Sequence, residues 1–221
     1  MPAIYPINAA IFDMDGLLID SEPFWERSIH EVISGLGVDM SSTDGMPDLL
    51  GLRIDMVVAL WYQHSPWKGP SKEDVTTRII KRTIECVEES RPLLPGVEQA
   101  LQLCRSQNLK IGLASASPLF MLEQVLEMFN LRDYFDTLMS ADRLPYSKPH
   151  PEVYLRAAHA LDVSPLACVT LEDSVNGMIA TKAARMRSIV VPAAEMRNDP
   201  RWALADVKLE SLEQLTAAHI S

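Results

Sequence analysis

The strongest constraint on this chain is an alternation. Five short runs, Ala9 to Phe12, Lys110 to Ala114, Phe135 to Met139, Ala167 to Leu171 and Ser188 to Val191, are rich in β-branched residues or alanine, and each is followed by a stretch with helical periodicity. Short apolar runs of this kind suit strands buried on both faces, and strands separated by helices predict a Rossmann-like parallel sheet, an α/β core wrapped by helices. Between the first and second runs the alternation stops. From Ser21 to about Arg91 no strand is expected, and Trp25, Ile29, Val32, Ile33 and Leu36 recur at helical spacing. Ser21 is the expected N-cap of that helix, with Pro23 in its first turn and Gly37 as its stop. A turn-rich stretch, Ser41 to Pro47, precedes a second apolar-periodic segment around Val57 to Trp61, and Lys72 to Glu89 makes a third. The prolines of Arg91-Pro92-Leu93-Leu94-Pro95-Gly96 then end the helical segment. The expected organisation is an α/β core of residues 1–18 and 92–221 with a helical cap, residues 19–91, spliced in after the first strand.

With 221 residues, 48% of them hydrophobic, the chain can bury roughly 70% of its unfolded surface. Thirty Asp and Glu against 20 Lys and Arg leave a formal net charge of −10, which opposes an electrostatic grip on nucleic acid. No apolar run approaches the roughly 20 residues of a membrane span. The opening Met-Pro-Ala-Ile-Tyr-Pro has neither the basic start nor the apolar middle of a secretion signal, so a cytoplasmic location is expected. Cys86, Cys104 and Cys168 are widely spaced and form no CxxC pair, and they read as reduced, packed thiols. A self-contained core without a coiled-coil stripe suggests a monomer.

In parallel α/β sheets ligands bind outside the carboxyl ends of the strands. Those ends are polar here. Asp13-Met14-Asp15-Gly16 follows the first run, Ser115-Ala116-Ser117 the second and Glu172-Asp173-Ser174 the fourth, while Ser147-Lys148-Pro149-His150-Pro151 lies between them. An acid placed behind a run buried on both faces costs several kcal/mol unless a cation or hydrogen bonds compensate it. Asp13, Asp15 and Asp173 together therefore call for a cation, and hard oxygen ligands without His or Cys favour Mg²⁺. Lys148 supplies a second positive charge from a loop stiffened by Pro149 and Pro151.

These residues, in this order, resemble the haloacid dehalogenase superfamily, and the resemblance covers essentially the whole chain. The helical segment is similar to the C1 cap of the subgroup that includes beta-phosphoglucomutase. The stretches Phe12-Asp13-Met14-Asp15-Gly16-Leu17-Leu18-Ile19-Asp20-Ser21-Glu22, Gly51-Leu52-Arg53-Ile54-Asp55-Met56-Val57-Val58 and Leu171-Glu172-Asp173-Ser174-Val175-Asn176-Gly177-Met178 look like its phosphatases of hexose and hexitol phosphates. The resemblance implies that Asp13 is a nucleophile forming an aspartyl-phosphate, and that Asp15 is general acid toward the leaving oxygen and then base toward water. It implies Mg²⁺ held by Asp13, the backbone carbonyl of Asp15 and Asp173, with Glu172 in support. Ser115 and the amide of Ala116 would bind phosphoryl oxygens, and Lys148 would neutralise Asp13 and phosphate. Substrates would be small phosphorylated sugars or polyols.

Gly16 to Ser21 and Pro92 to Pro95 are the expected hinge strands of the cap, with Asp20 a hydrogen-bonding residue there. Gly51-Leu52-Arg53 falls where the subgroup carries its specificity loop, which makes Arg53 a candidate sugar contact, the alternative being a solvated arginine at a helix start. Trp25, Trp61 and Trp67 stand on apolar stripes and read as core packing rather than sugar stacking; His64 and His150 receive no role. A phosphomutase of the beta-phosphoglucomutase kind carries a His where Trp25 stands, which argues against that chemistry. Asp15 argues against the dehalogenase branch, and Lys68, Lys72 and Lys81 have no recognisable Schiff-base context. A non-enzymatic phospho-acceptor or sugar-phosphate binder would not need this full set of charged residues.

Overall fold

The computed structural model describes residues 5–41, 45–47, 49 and 51–221. Strand β1 (Ala9–Phe12) is followed by three helices, α1 (Glu22–Ser34), α2 (Ile54–His64) and α3 (Lys72–Ser90). The chain then alternates through α4 (Val97–Ser106), β2 (Lys110–Ser115), α5 (Leu119–Met128), β3 (Thr137–Ser140), α6 (Glu152–Ala160), β4 (Cys168–Glu172), α7 (Val175–Ala183) and β5 (Arg187–Val190). A two-residue strand, β6 (Val207–Lys208), closes one edge. Six parallel strands lie in the order β3-β2-β1-β4-β5-β6. The chain builds outward from β1 to β3 on one side, then crosses back to place β4 on β1's other flank. That reversal makes the carboxyl end of β1 a topological switch point, where such sheets bind ligands.

The strand residues explain their own burial. Ala10 and Phe12 face one apolar cluster, which also takes in the insert's Ile33, Val58 and Ile79. Ala9 and Ile11 face the opposite cluster, packed by Tyr154, Ala157 and Ala158 of α6. With both faces covered, an uninterrupted apolar run is the only pattern that avoids burying unpaired polar groups. All three cysteines are free and buried, as packed thiols should be.

The differences from the sequence reading are local. β2 and β4 each end one residue later than expected, β4 also starting one residue later, so Ser115 and Glu172 are the last residues of strands rather than the first of loops. β6 is a two-residue strand, too short to leave a periodic signal, and the sequence reading missed it. Ser21 occupies the N-cap position of α1 but makes no side-chain cap. That helix ends at Ser34, before Gly37, which takes φ +80°. Helix α3 has the firmer start, because Ser71 and Asp74 form a reciprocal capping box. Of the expected turn-rich stretch Ser41 to Pro47, residues 42–44 lie outside the described residues, as do residues 1–4 of the opening hexapeptide.

The three inserted helices pack as a group, α3 against both α1 and α2. Two strands of chain connect them to the core, and these pair with each other: Asp20 N donates to Pro92 O at 2.8 Å, and Leu94 N to Leu18 O at 2.9 Å. Among the described residues no helix is long and apolar enough to cross a membrane.

Candidate active site

The first link is backbone geometry. Asp13 N donates to Leu171 O at 3.0 Å, which extends the β1–β4 ladder one residue past the strand and aims the next side chain across the sheet edge. Gly16 then turns the chain with φ +74°, and a Cβ there would sit 2.1 Å from Asp173 Oδ2. Only glycine lets the backbone after Asp15 come this close to the second carboxylate. Gly177 performs a similar service on α7, since a Cβ there would lie 2.0 Å from the Glu172 carboxyl group. Both glycines are explained by carboxylates they make room for.

The acids form a buried cluster around one cation. Asp13, Glu172 and Asp173 each offer an oxygen, the three atoms lying within 4.8 Å of one another. Lys148 is 2% exposed, and its Nζ lies 3.0 Å from Asp13 Oδ1 and 2.7 Å from Glu172 Oε1. Glu172 is fully committed. It also accepts from the Tyr154 hydroxyl, and its Oε2 accepts from Ser174 N and Oγ at 3.3 and 3.2 Å. Glu172 thus orients Lys148 from behind. The lysine itself emerges from a cis Lys148–Pro149 bond just before Pro151, the N-cap of α6.

One ammonium does not balance three buried carboxyls. Burial, followed by the neighbouring charges of Glu172 and Asp15, pushes Asp13 up to about 7 against the opposing pull of Lys148. Burial and the Glu172 and Asp13 charges hold Asp173 well above the usual carboxylate range. Burial alone would lower Lys148, but Asp13 and Glu172 outweigh it and keep the ammonium above its ordinary value. Asp13 Oδ1 is buried without an aligned hydrogen-bond donor, the Lys148 ion pair being its nearest cationic contact. Two raised carboxyls sharing a single ammonium, with a glycine backbone pressed against the second, together fit a divalent cation with hard oxygen ligands.

Asp15 is built differently. Its Oδ1 accepts from Ser21 Oγ at 2.7 Å and Trp25 Nε1 at 3.0 Å, both from the insert side. Its Oδ2 accepts from Ser117 Oγ at 2.7 Å and Ser115 Oγ at 3.4 Å, both from the end of β2. Asp15 therefore stands between the two parts of the molecule, gripped by each. Ser21's hydroxyl is turned to Asp15, and its backbone at φ −95°, ψ −15° is helical rather than the extended conformation of an N-cap, so it does not cap α1. Trp25, expected to be core packing, is half-buried and points its ring nitrogen at the site; indole nitrogens in apolar surroundings generally find such a partner.

Above these groups lies a cavity of about 440 Å³. Asp13, Asp15, Ser115, Ala116, Lys148 and Asp173 line its floor, so these six expected residues are brought together. Glu172 sits beneath them. The roof is the insert: Trp25, Ile29, Leu52, Val57 and Trp61 with the polar Glu22, Glu26 and His30. Glu22 is the clearest omission of the sequence reading. Burial, then the charges of Asp15 and Asp13, push its carboxyl up to about 8. Its presence in the same motif as Asp13 and Asp15, on the first turn of α1, was the available signal. Ser117 was visible as a strand-end hydroxyl, whereas Tyr154 carried no mark beyond an apolar helix face.

Arg53 is the expected site residue that the fold does not bring to the cavity wall among the described residues. It is the N-cap residue of α2, but its guanidinium is neither free in solvent nor turned to the site. It binds Asp55 and the backbone carbonyls of Ala141 and Leu144. Trp61 is 3% exposed in the roof, and Trp67 is buried against Tyr62 with its ring nitrogen on Pro70 O. Asp20 is exposed and contributes its backbone amide to the paired connections.

A parallel sheet with polar strand ends, an inserted helical roof and this acid cluster agree with what comparison with known proteins finds. Residues 7–185 match the haloacid dehalogenase-like hydrolase family, and the chain belongs to it. Within that family it is an enzyme of the phosphatase kind. Hexitol phosphatase B of Escherichia coli (strain K12) is 67% identical over 211 residues, covering 96% of this chain and 95% of that protein. The crystal structure of CbbY from Rhodobacter sphaeroides in complex with phosphate is 29% identical with a TM-score of 0.86, over 97% of this chain and 99% of that one. Beta-phosphoglucomutase from Clostridium difficile is 28% identical with a TM-score of 0.82, over 97% and 95%.

Proposed function

We propose that this chain is a Mg²⁺-dependent phosphatase acting on hexose and hexitol monophosphates through an aspartyl-phosphate on Asp13, with residues 19–91 acting as the cap that selects the substrate and 1–18 with 92–221 as the catalytic core. The reading rests above all on one observation: a buried Asp13 carboxylate, 3.0 Å from the Lys148 ammonium, on the floor of a roofed cavity. The similarity to hexitol phosphatase B supports the substrate class.

Phosphoryl transfer asks for alignment and for neutralised oxygens more than for covalent chemistry from the protein. Asp13 attacks phosphorus as the bond to the sugar oxygen breaks, and Asp15 gives that oxygen a proton. In the second half Asp15 takes a proton from water, water attacks the aspartyl-phosphate, and Asp13 is released as a carboxylate with inorganic phosphate. Each half returns Asp15 to the state the other requires. Its partners allow this, because the Ser21 and Ser117 hydroxyls can accept as well as donate, whereas Trp25 only donates. Ser115 and the Ala116 amide bind phosphoryl oxygens, and Lys148 neutralises the incoming phosphate. Asp13, the Asp15 carbonyl and Asp173 would hold Mg²⁺, which when bound supplies charge to the phosphoryl oxygens and favours the ionised form of Asp13.

Hydrolysis is favoured over mutase chemistry by the roof. Among the described residues the insert gives the cavity Glu22 and Glu26 but no Lys or Arg. A sugar bisphosphate, the intermediate a mutase must hold, would meet two carboxyl groups where its second phosphate needs a cation.

Inorganic phosphate release from a panel of hexitol, hexose and smaller phosphomonoesters, with Mg²⁺ and after chelation, tests the reading. Metal-dependent release is expected, strongest on hexitol and hexose monophosphates. No release from any of them, or undiminished release in chelator, would overturn it.

A further inference from the structure

The segment 51–53 belongs to the insert, yet it is fastened to the core on both flanks of the acid cluster. Gly51 takes φ +71°, and a Cβ there would lie 3.1 Å from Ser174 Oγ, so the insert backbone is pressed against the residue that follows Asp173. Two residues on, Arg53 Nη1 donates to Ala141 O and Leu144 O, both at 2.8 Å. Its Nε and Nη2 hold the two oxygens of Asp55 at 2.6 and 2.8 Å. The carbonyls belong to a turn, closed by Leu144 N on Ala141 O, that leaves β3 and leads to Ser147 and Lys148. Positions 53 and 141 are 88 residues apart in sequence, and the chain joins them only through the paired connections at 16–21 and 92–95.

We infer that Arg53 is the clasp that holds the insert shut over the active site: a positioning residue, not a contact to the sugar. The residue type fits the task. A guanidinium presents five donors in a fixed fork, so it satisfies a bidentate carboxylate and two carbonyls at once; a lysine ammonium has three donors at one point and cannot. Asp55 compensates the charge of a side chain that is only 14% exposed. The clasp has a chemical consequence. Ser21 and Trp25 reach Asp15 from the insert side, so an insert that swings away takes those two partners with it and unseats the proton donor for every substrate, large or small.

The test compares wild type with Arg53→Ala and Arg53→Lys. Spin labels are placed at the exposed Gln63 of α2 and His159 of α6, which is feasible because the native cysteines are all buried. Pulsed dipolar spectroscopy should give a single short distance in wild type. Arg53→Ala should shift weight to longer distances, cutting the closed fraction by about tenfold or more for two lost charged hydrogen bonds. Arg53→Lys should fall between, and it carries the measurement should the alanine variant not fold. The kinetic arm depends on the proposed phosphatase reading: kcat/KM should fall by a similar factor on a hexitol phosphate and on p-nitrophenyl phosphate. An unchanged distance distribution would overturn the clasp. So would a loss confined to the hexitol phosphate, which would make Arg53 a sugar contact after all. Arg53-dependent distances in a wild-type protein that hydrolyses nothing would sink the proposed function and leave the clasp standing.

Discussion

The floor and the roof of the cavity hold different kinds of side chain. On the floor, charged groups are buried and interlocked: Lys148 bridges Asp13 and Glu172, Tyr154 and Ser174 hold Glu172, and glycines 16 and 177 give way to the carboxylates. The roof is mostly hydrocarbon, with Trp25, Ile29, Leu52, Val57 and Trp61 around two carboxyl groups and a histidine. A dry, interlocked charge network has fixed geometry, because moving any member strands another without compensation. An apolar roof imposes shape but little direction. The contrast separates a wall of fixed charges from a wall of fixed shape, with Asp15 gripped by both; in the proposed reading the first performs the chemistry and the second admits the substrate.

Breaking the floor alone should have the largest effect. Asp13→Asn keeps the side-chain shape and relieves repulsion within the acid cluster, so the fold should persist while phosphate release falls by about a thousandfold or more, about 4 kcal/mol of barrier. Turnover close to wild type in this variant would move the nucleophile elsewhere.

The charge imbalance on the floor predicts a smaller effect that depends on pH. Asp13, at about 7 when folded against 3.8 as its ordinary value, binds more protons folded than unfolded between those limits. Metal-free stability should therefore decline as pH rises through about 7. Mg²⁺ must displace these protons at low pH and meets bare carboxylates at high pH, so its stabilisation should be greater at pH 8 than at pH 5.5. At a hundred times its Kd the ion adds about 2.7 kcal/mol. Thermal melts with and without Mg²⁺ at the two pH values check the sign, and an equal shift at both would contradict it.

The smallest effect comes from the roof side. Trp25→Phe keeps the aromatic bulk and removes the single N–H that reaches Asp15, and kcat on sugar phosphates should drop by about tenfold, near 1.4 kcal/mol. An unchanged kcat would mean that the serines at 21, 115 and 117 position Asp15 by themselves.

These two walls were also unequally legible in the sequence. Floor residues stand next to strand ends, and a strand buried on both faces leaves an apolar run that marks its own end; Asp13, Ser115 and Asp173 could be read off in that way. The register of the sheet then brings them together without further information. Roof residues carry no such marker. Trp25 and Glu22 sit on an amphipathic helix whose periodicity says which face is apolar, not which neighbour it meets, so Trp25 was read as packing and Glu22 was not singled out.

Arg53 shows the same limit from the other side. Its place in a loop resembling a specificity segment suggested the sugar as its partner, whereas its partners are two backbone carbonyls, which every residue possesses and no sequence pattern distinguishes. By itself the sequence determined the alternation of strands and helices, the site of the insertion and the chemical character of the sheet edge, because burial periodicity and charge compensation are local demands written residue by residue. The tertiary structure alone decided which donors hold Asp15, which backbone turn receives Arg53 and why glycine stands at 16 and 177. Those depend on the approach of segments distant in the chain, and such an approach is fixed by packing rather than by any local preference.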